Sequence, residues 1–274
     1  MNTDGGSRVR AAAASLRQLF AQRPAGLFAD VDGTISRLTS RPMDASVTAE
    51  ARDALRRLAA DLEVVAVVTG RAVTRARRIV GVPEIGYVGN HGLEWWHDGQ
   101  VVTHPGAAAA RPTLDAALRA VRASVPDPGL VVEDKGVSVA IHYRLSAQPE
   151  KTGGALLAAL RPYAESAALR LIEGGLVVNL LPGVAVDKGE AVLRLTDEHG
   201  LRSVAFFGDD ITDLDAFRAL RRLRERGTAH TLSVGVLSAE GPPQIREEAD
   251  LLLDGVGEVE QVLAALASGP PESA

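Results

Sequence analysis

Residues 26–34 read GLFADVDGT, an apolar run that stops abruptly at two aspartates and a glycine. Strand alternation carried through the segment puts Asp30 and Asp32 on one side of an exposed strand end. Two carboxylates that close repel each other unless a cation or a shared proton compensates. Gly33 permits a sharp turn and lets a ligand approach the backbone. Asp-Gly alone is an ordinary turn signal; closing a buried strand, the same pair is a candidate for chemistry.

The flanking segments set the fold around this strand. Val47, Ala51, Leu55 and Leu58 lie near helical spacing, and EVVAVVT (63–69) is a continuous β-branched run suited to a strand covered on both faces. A short helix over 72–80 and a strand over 86–92 complete a βαβαβ order, which implies a parallel doubly wound sheet. From about Trp95 to Gly183 the pattern changes to a helix (113–124), strands (130–134, 138–144), a helix (150–164) and strands (168–172, 176–181). After Lys188 the parallel pattern resumes. The expected fold class is therefore α/β, a doubly wound parallel sheet with a smaller α/β domain inserted. The core is expected over 8–104 and 184–267, the insert over 105–183, and flexible ends over 1–7 and 268–274. HPGAAAARP (104–112), with a proline near each end, reads as a hinge.

Composition narrows the function. The 274 residues, as one body, should bury about 70–75% of the unfolded surface. Thirty Lys plus Arg against 35 Asp plus Glu leave a net charge of −5, with no basic footprint for nucleic acid or an anionic membrane. The absence of cysteine excludes disulfides, Cys-based zinc sites and a thiol nucleophile. No apolar run approaches the ~18 residues of a membrane span. Arg17 interrupts the apolar N-terminal stretch, so no secretory signal is expected and the cytoplasm is the expected compartment.

In open parallel sheets, ligands bind beyond the carboxyl ends of the strands. Besides Asp30 and Asp32, three polar groups fall there. Thr69-Gly70-Arg71 follows EVVAVV, where a hydroxyl beside a helix start suits either a phosphate oxygen or an N-cap. Asp187-Lys188-Gly189 opens a helix. Gly208-Asp209-Asp210-Ile211-Thr212-Asp213 follows the strand over 203–207; Thr212 or Asp210 could cap the next helix, but capping does not need all three acids. Hard oxygen ligands favour Mg²⁺. Together the four groups form a candidate phosphoryl-transfer site. A carboxylate attacks phosphorus, a magnesium ion neutralises charge, and Lys and Thr hold the equatorial oxygens. A second acid, Asp32, protonates the leaving alcohol and then activates water.

DVDGT, Thr69, Lys188 and GDDITD in this order resemble the four motifs of the haloacid-dehalogenase superfamily of phosphatases. The resemblance implies Asp30 as nucleophile, Asp32 as acid/base, and Thr69 and Lys188 as stabilisers of the phosphate and nucleophile. It places Mg²⁺ on Asp30, the carbonyl of Asp32 and Asp209, with Asp213 in support, and makes the insert a mixed α/β cap. The phosphate-binding set is then Gly33, Thr34, Thr69, Gly70, Arg71 and Lys188. More narrowly, TGR (69–71), GNHGLE (89–94), EDKGVSVAIHYR (133–144), DKGEAV (187–192) and GDDITDLDAF (208–217) are similar to the trehalose-6-phosphate phosphatase family. Where that family tends to carry an acid, a spacer, Arg and Pro, this chain has Asn179-Leu180-Leu181-Pro182.

The expected reaction is Mg²⁺-dependent hydrolysis of a small-molecule sugar phosphate, trehalose 6-phosphate first, by a monomeric enzyme without nucleic-acid or membrane partners. Another glycosyl phosphate, such as a glycosyl-phosphoglycerate, is the alternative substrate. A phosphoacceptor signalling module also combines Asp, Thr and Lys, but it needs neither the second aspartate of DVD nor an inserted cap. The substrate-binding candidates are Asn90, His91, Glu94, Glu133, Lys135, Ser138, His142, Arg144 and Asn179. Those between 133 and 144 can equally form a solvated hairpin face, and His91 can be a structural histidine. Trp95 and Trp96 can stack on a sugar ring or pack at the hinge.

Overall fold

The computed structural model describes residues 3–39, 42–166, 168–239 and 241–269. The chain divides into two compact units, Met1–Val101 with Val186–Ala274, and Val102–Ala185. The larger unit opens with α1 (Thr3–Phe20), β1 (Ala25–Ala29), α2 (Ala49–Asp61) and β2 (Val64–Val68). It continues with α3 (Val73–Val80), β3 (Gly86–Gly89), β4 (Glu94–His97) and β5 (Gln100–Thr103), the unit boundary falling within β5. The smaller unit comprises α4 (Pro105–Ala109), α5 (Arg111–Ser124), β6 (Val131–Asp134) and β7 (Val139–His142). Its second half is α6 (Pro149–Glu165), β8 (Leu169–Gly174) and β9 (Val177–Pro182). The chain then returns to the larger unit as α7 (Lys188–Glu198), β10 (Ser203–Gly208), α8 (Asp213–Glu225) and β11 (His230–Leu237). It ends with α9 (Pro243–Glu248), β12 (Leu251–Asp254) and α10 (Gly255–Ala267).

The large sheet runs β12-β11-β10-β1-β2-β3-β4-β5, parallel from β12 to β3 and antiparallel between β3 and β4. Its central strands are apolar at every position because both faces are covered. Leu27, Ala29, Val65, Val67, Ala205 and Phe207 point to the layer that contains α1, α2, α3 and α10. Phe28, Ala66, Val68, Val204 and Phe206 point to the layer of α7 and α8. Phe206 and Phe217 meet edge-on at 6.2 Å, an arrangement that adds about 0.5–1.5 kcal/mol to their burial and seats α8 on β10.

The smaller sheet is antiparallel, in the order β6-β7-β9-β8. Leu114, Leu118 and Val121 of α5 and Leu156 and Leu160 of α6 pack on Val139, Ile141, Val178, Leu180 and Leu169. The intervening strand positions therefore face away from those helices.

Three parts depart from the sequence expectation. The supposed hinge over 104–112 holds a helix, since the His104 ring caps the Gly106 amide, Pro105 occupies a position where no N–H is needed, and alanines follow. Residues 94–103 form two strands that extend the large sheet. Finally, the expected flexible end over 1–7 is helical from Thr3 onward. There Arg8 makes a two-pronged ion pair with Glu258 of α10 (2.8 and 2.7 Å), and Val9, Ala12 and Leu16 enter the core. At the other end, Ser268 and Gly269 carry the last bonds of α10, and 270–274 lie outside the described residues. No described helix is long and apolar enough to cross a membrane.

Candidate active site

Strand alternation aims Phe28 at the α7/α8 layer, and Asp30 has the same parity. Its amide still donates to the Phe207 carbonyl of β10 (2.9 Å). Alternation stops there. The Val31 carbonyl accepts the amides of Thr34, Ile35 and Ser36, which closes a tight turn, so Asp32 is not placed by the strand. The first residues of α7 and α8 meet Asp30. Lys188 Nζ lies 3.2 Å from Asp30 Oδ2 and 2.7 Å from Asp213 Oδ1, and the Lys188 and Asp213 side chains are 2% and 0% exposed. Asp213 Oδ2 accepts the amides of Asp209 and Asp210, both at 2.9 Å. Asp213 therefore ties the lysine to the loop that carries Asp209, and both of its oxygens are engaged in doing so. Gly208 makes room for this, since a Cβ there would stand 2.4 Å from Asp213 Cγ.

Gly33 has φ +80°, and a Cβ on it would lie 1.9 Å from Asp209 Oδ2. Gly33→Ala should therefore cost about 1–2 kcal/mol in backbone strain alone and expel the Asp209 carboxylate from its seat. The expected result is a lowered melting temperature together with a Mg²⁺ titration weakened at least about tenfold. A variant that melts and titrates like the parent would remove Gly33 from this role.

The electrostatics are unbalanced. Burial pushes Asp30 up to about 7; Lys188 opposes this, while Asp213 and Asp32 add to it. Burial, with Asp213 and Asp30, also lifts Asp209 well above the carboxylate range. Asp213 is raised by burial against the pull of Lys188. Burial disfavours the Lys188 charge, but Asp213 and Asp30 outweigh it and hold the ammonium above its ordinary range. Three buried carboxylates thus cluster where Lys188 pairs with only two of them, Asp30 and Asp213. Asp30, Asp209 and Asp213 each offer an oxygen, all within 4.8 Å of one another, and Asp30 Oδ1 is buried with no hydrogen-bond partner. Unpaired, buried anionic oxygen in excess of its cations fits a hard divalent ion such as Mg²⁺.

Several expected phosphate ligands do other work. The Thr34 hydroxyl donates to Asp209 Oδ1 (2.8 Å), so it orients that acid. Arg71 grips Asp32 with both ends of its fork, Nε on Oδ2 at 2.5 Å and Nη2 on Oδ1 at 2.6 Å. Thr69 does not cap α3, which starts four residues later; its hydroxyl oxygen accepts the Arg71 amide (3.3 Å). Asn90 and His91 are buried with φ of 48° and 57°, a strained pair of non-glycine residues. Their amides donate to the carbonyls of Arg71 and Thr69, and the His91 ring stands where a Gly70 side chain would begin.

Glu94, expected to bind substrate, accepts the Val73 amide on Oε2 at 2.9 Å. Ala72, at the α3 N-cap, has no side-chain oxygen, so the carboxylate satisfies an amide the helix start leaves open. Trp95 and Trp96 carry Arg194 and Arg77 on their rings, at 4.2 and 3.5 Å.

In the smaller unit, Glu133, Ala140 and Asn179 form one row across three strands on the face away from α5 and α6. His142 Nε2 lies 3.4 Å from Glu133 Oε2 on the same face. Arg144 lies beyond β7 and donates to the Gly175 carbonyl (3.1 Å). The sequence reading missed Arg170, which pairs with Leu181 and so shares the face of Asn179. The signal was the hairpin turn at Gly175-Leu176, because positions equally distant from a hairpin turn face the same way.

A parallel sheet with acids, lysine and threonine gathered at its strand ends is a haloacid-dehalogenase-like α/β fold. A family model described as Trehalose-phosphatase matches residues 28–255. The trehalose-phosphate phosphatase of Mycobacterium tuberculosis (strain ATCC 25618 / H37Rv) is 35% identical over 247 residues, covering 85% of this chain and 62% of that protein. Its counterpart in Mycobacterium avium (strain 104) is 41% identical over 209 residues, 73% of this chain and 52% of that protein. The C-terminal domain of C. albicans trehalose-6-phosphate phosphatase superposes with a TM-score of 0.79 at 20% identity, covering 95% of this chain and 96% of that one. The chain belongs to the trehalose-phosphatase family. It spans about 62% of the length of the M. tuberculosis relative.

Proposed function

We propose that the chain is a Mg²⁺-dependent phosphatase that hydrolyses trehalose 6-phosphate to trehalose and phosphate through an aspartyl phosphate on Asp30. Family membership supports the substrate. The observation that carries the chemistry is Asp30 Oδ1, buried and unpartnered beside an Oδ2 anchored by Lys188. Such an oxygen is oriented and unshielded, as a nucleophile must be.

Asp30 attacks phosphorus, the new O–P bond forms as the ester P–O bond breaks, and Asp32 delivers its proton to the departing sugar oxygen. Asp32 then takes a proton from water as that water attacks phosphorus, the Asp30–phosphorus bond breaks, and phosphate leaves. Arg71 occupies both oxygens of Asp32, so one of these bonds must yield when the proton moves. Lys188 and Thr69 hold phosphate oxygens; Asp213 keeps Lys188 in place. Asp30, Asp209 and the Asp32 carbonyl would hold Mg²⁺, which when bound neutralises charge on the transferring phosphoryl group. Glu133, Lys135, Ser138, His142 and Asn179, on the helix-free side of the smaller unit's sheet, are the sugar-binding candidates.

Phosphate release from a panel of sugar phosphates, with Mg²⁺ and with chelator, tests this reading. Trehalose 6-phosphate is expected to be the fastest ester, and only with the metal present. Negligible turnover of it beside rapid turnover of another glycosyl phosphate would overturn the substrate; full activity in chelator would overturn the metal requirement.

A further inference from the structure

We infer that His91 is a positioning residue, which through the Asn90–Gly92 turn sets the distance between the Thr69 loop and the Lys188 loop; the inference rests on the phosphatase reading above and deepens it. Asn90 and His91 are consecutive non-glycine residues in the left-handed region, φ 48° and 57°, and both are buried. Such strain persists only where the surroundings over-determine it, and it collects at functional sites. In an extended strand successive amides point to opposite sides; the left-handed pair turns both toward one loop. The Asn90 amide donates to the Arg71 carbonyl (2.8 Å) and the His91 amide to the Thr69 carbonyl (3.0 Å). The imidazole lies against Gly70, between those two residues: a Cβ on Gly70 would stand 2.6 Å from both Cε1 and Nε2 of His91. Thr69, Gly70 and Arg71 are thus held by two amides and a ring.

The same turn meets the lysine loop. Gly92 has φ +103°, and a Cβ there would lie 2.8 Å from the Asp187 carbonyl oxygen. Asp187 directly precedes Lys188 and caps α7, its side chain accepting the Glu190 amide at 2.9 Å. The Gly92 carbonyl accepts Trp95 Nε1 (3.0 Å), which pins the turn to β4. Thr69 and Lys188 both serve the phosphoryl group, so a turn that touches the backbone of each loop sets how far apart they stand. Misplacing catalytic groups by ~1 Å can cost about 10²-fold in rate. A brace of this kind therefore acts on kcat without touching substrate, and the ring acts in it by its shape, with no proton transfer.

The test measures kcat, KM and melting temperature for the parent, His91→Ala, His91→Gly, Gly70→Ala and the double variant Gly70→Ala, His91→Ala. The substrates are trehalose 6-phosphate and phenyl phosphate, which has no sugar. His91→Ala is expected to lower kcat about tenfold for both esters alike, leaving the ratio of their kcat/KM values within about twofold of the parent's. His91→Gly should melt above His91→Ala, since glycine takes φ 57° without strain, yet be no more active. Gly70→Ala should also lose kcat, because its Cβ collides with the ring. The double variant should regain at least about threefold over Gly70→Ala, the added methyl now filling space the ring has left. Unchanged kcat in a folded His91→Ala or His91→Gly variant overturns the inference. So does a loss confined to trehalose 6-phosphate, which would make His91 a sugar contact, and so does a double variant whose loss is the product of the two single losses. Each of these results leaves the phosphatase reading standing; a parent that hydrolyses neither ester overturns both.

Discussion

Asp30→Asn is expected to abolish turnover, by at least about 10³-fold, because an amide oxygen cannot be esterified by phosphorus and released again at a useful rate. The substitution keeps the shape of the side chain, so the fold should survive, and the metal-free variant should be more stable than the parent at neutral pH. The sign follows from the raised acid. With Asp30 near 7 in the folded chain against an ordinary 3.8, the folded state binds a proton that the unfolded state has lost. The stability this proton lends is complete below about 4, declines as pH rises, and is gone above about 7. Asparagine, neutral throughout, escapes the decline. Melting curves in chelator should therefore show variant and parent close together near pH 4 and diverging up to pH 8. Persistent turnover in a variant checked by mass spectrometry for deamidation would end the nucleophile assignment.

Lys188→Met should damage stability and activity together. The side chain is of similar volume, so packing is largely kept, but Asp213 and Asp30 lose a buried cation that both contact. Removing one partner of such an ion pair costs about 3–5 kcal/mol, and removing a donor aimed at a developing phosphate charge costs about 10²–10³ in kcat. The double variant Lys188→Met, Asp213→Asn separates the two effects. It should regain part of the lost stability, since one orphaned carboxylate is gone, and none of the activity. Equal denaturant midpoints for the single variant and the parent would show that the lysine does not neutralise the cluster.

The central strands and the strand-end acids were legible in the amino-acid sequence for one physical reason. A strand covered on both faces must be apolar at every position, so EVVAVV and the run ending at Asp30 announce both the strand and its abrupt polar end. The β4 and β5 strands were not legible: EWWH and QVVT are short and half-exposed, and their tryptophans are covered by arginines from other elements. The hinge reading of 104–112 failed because proline at a helix start looks, in sequence, like proline in a linker. Within the site, sequence pointed to Asp30, Lys188, Asp209 and Asp213 but not to the contacts that join them. That Asp213 spends both oxygens on the lysine and the 209–210 amides, and that Arg71 holds Asp32, depends on side-chain directions beyond a turn, which periodicity does not encode. Arg170 needed the β8–β9 register.

Glu94 has a consequence for how this sheet tolerates change. By closing the first turn of α3 from a strand further along the chain, it clamps both ends of the stretch from Val73 to Leu93 beyond the carboxyl ends of the parallel strands. The α3–β3 connection around Gly81–Ile85 lies at the amino ends of those strands, outside that clamp. Length changes should be absorbed there, and drift between relatives should collect there, while Thr69 and Arg71 keep their positions.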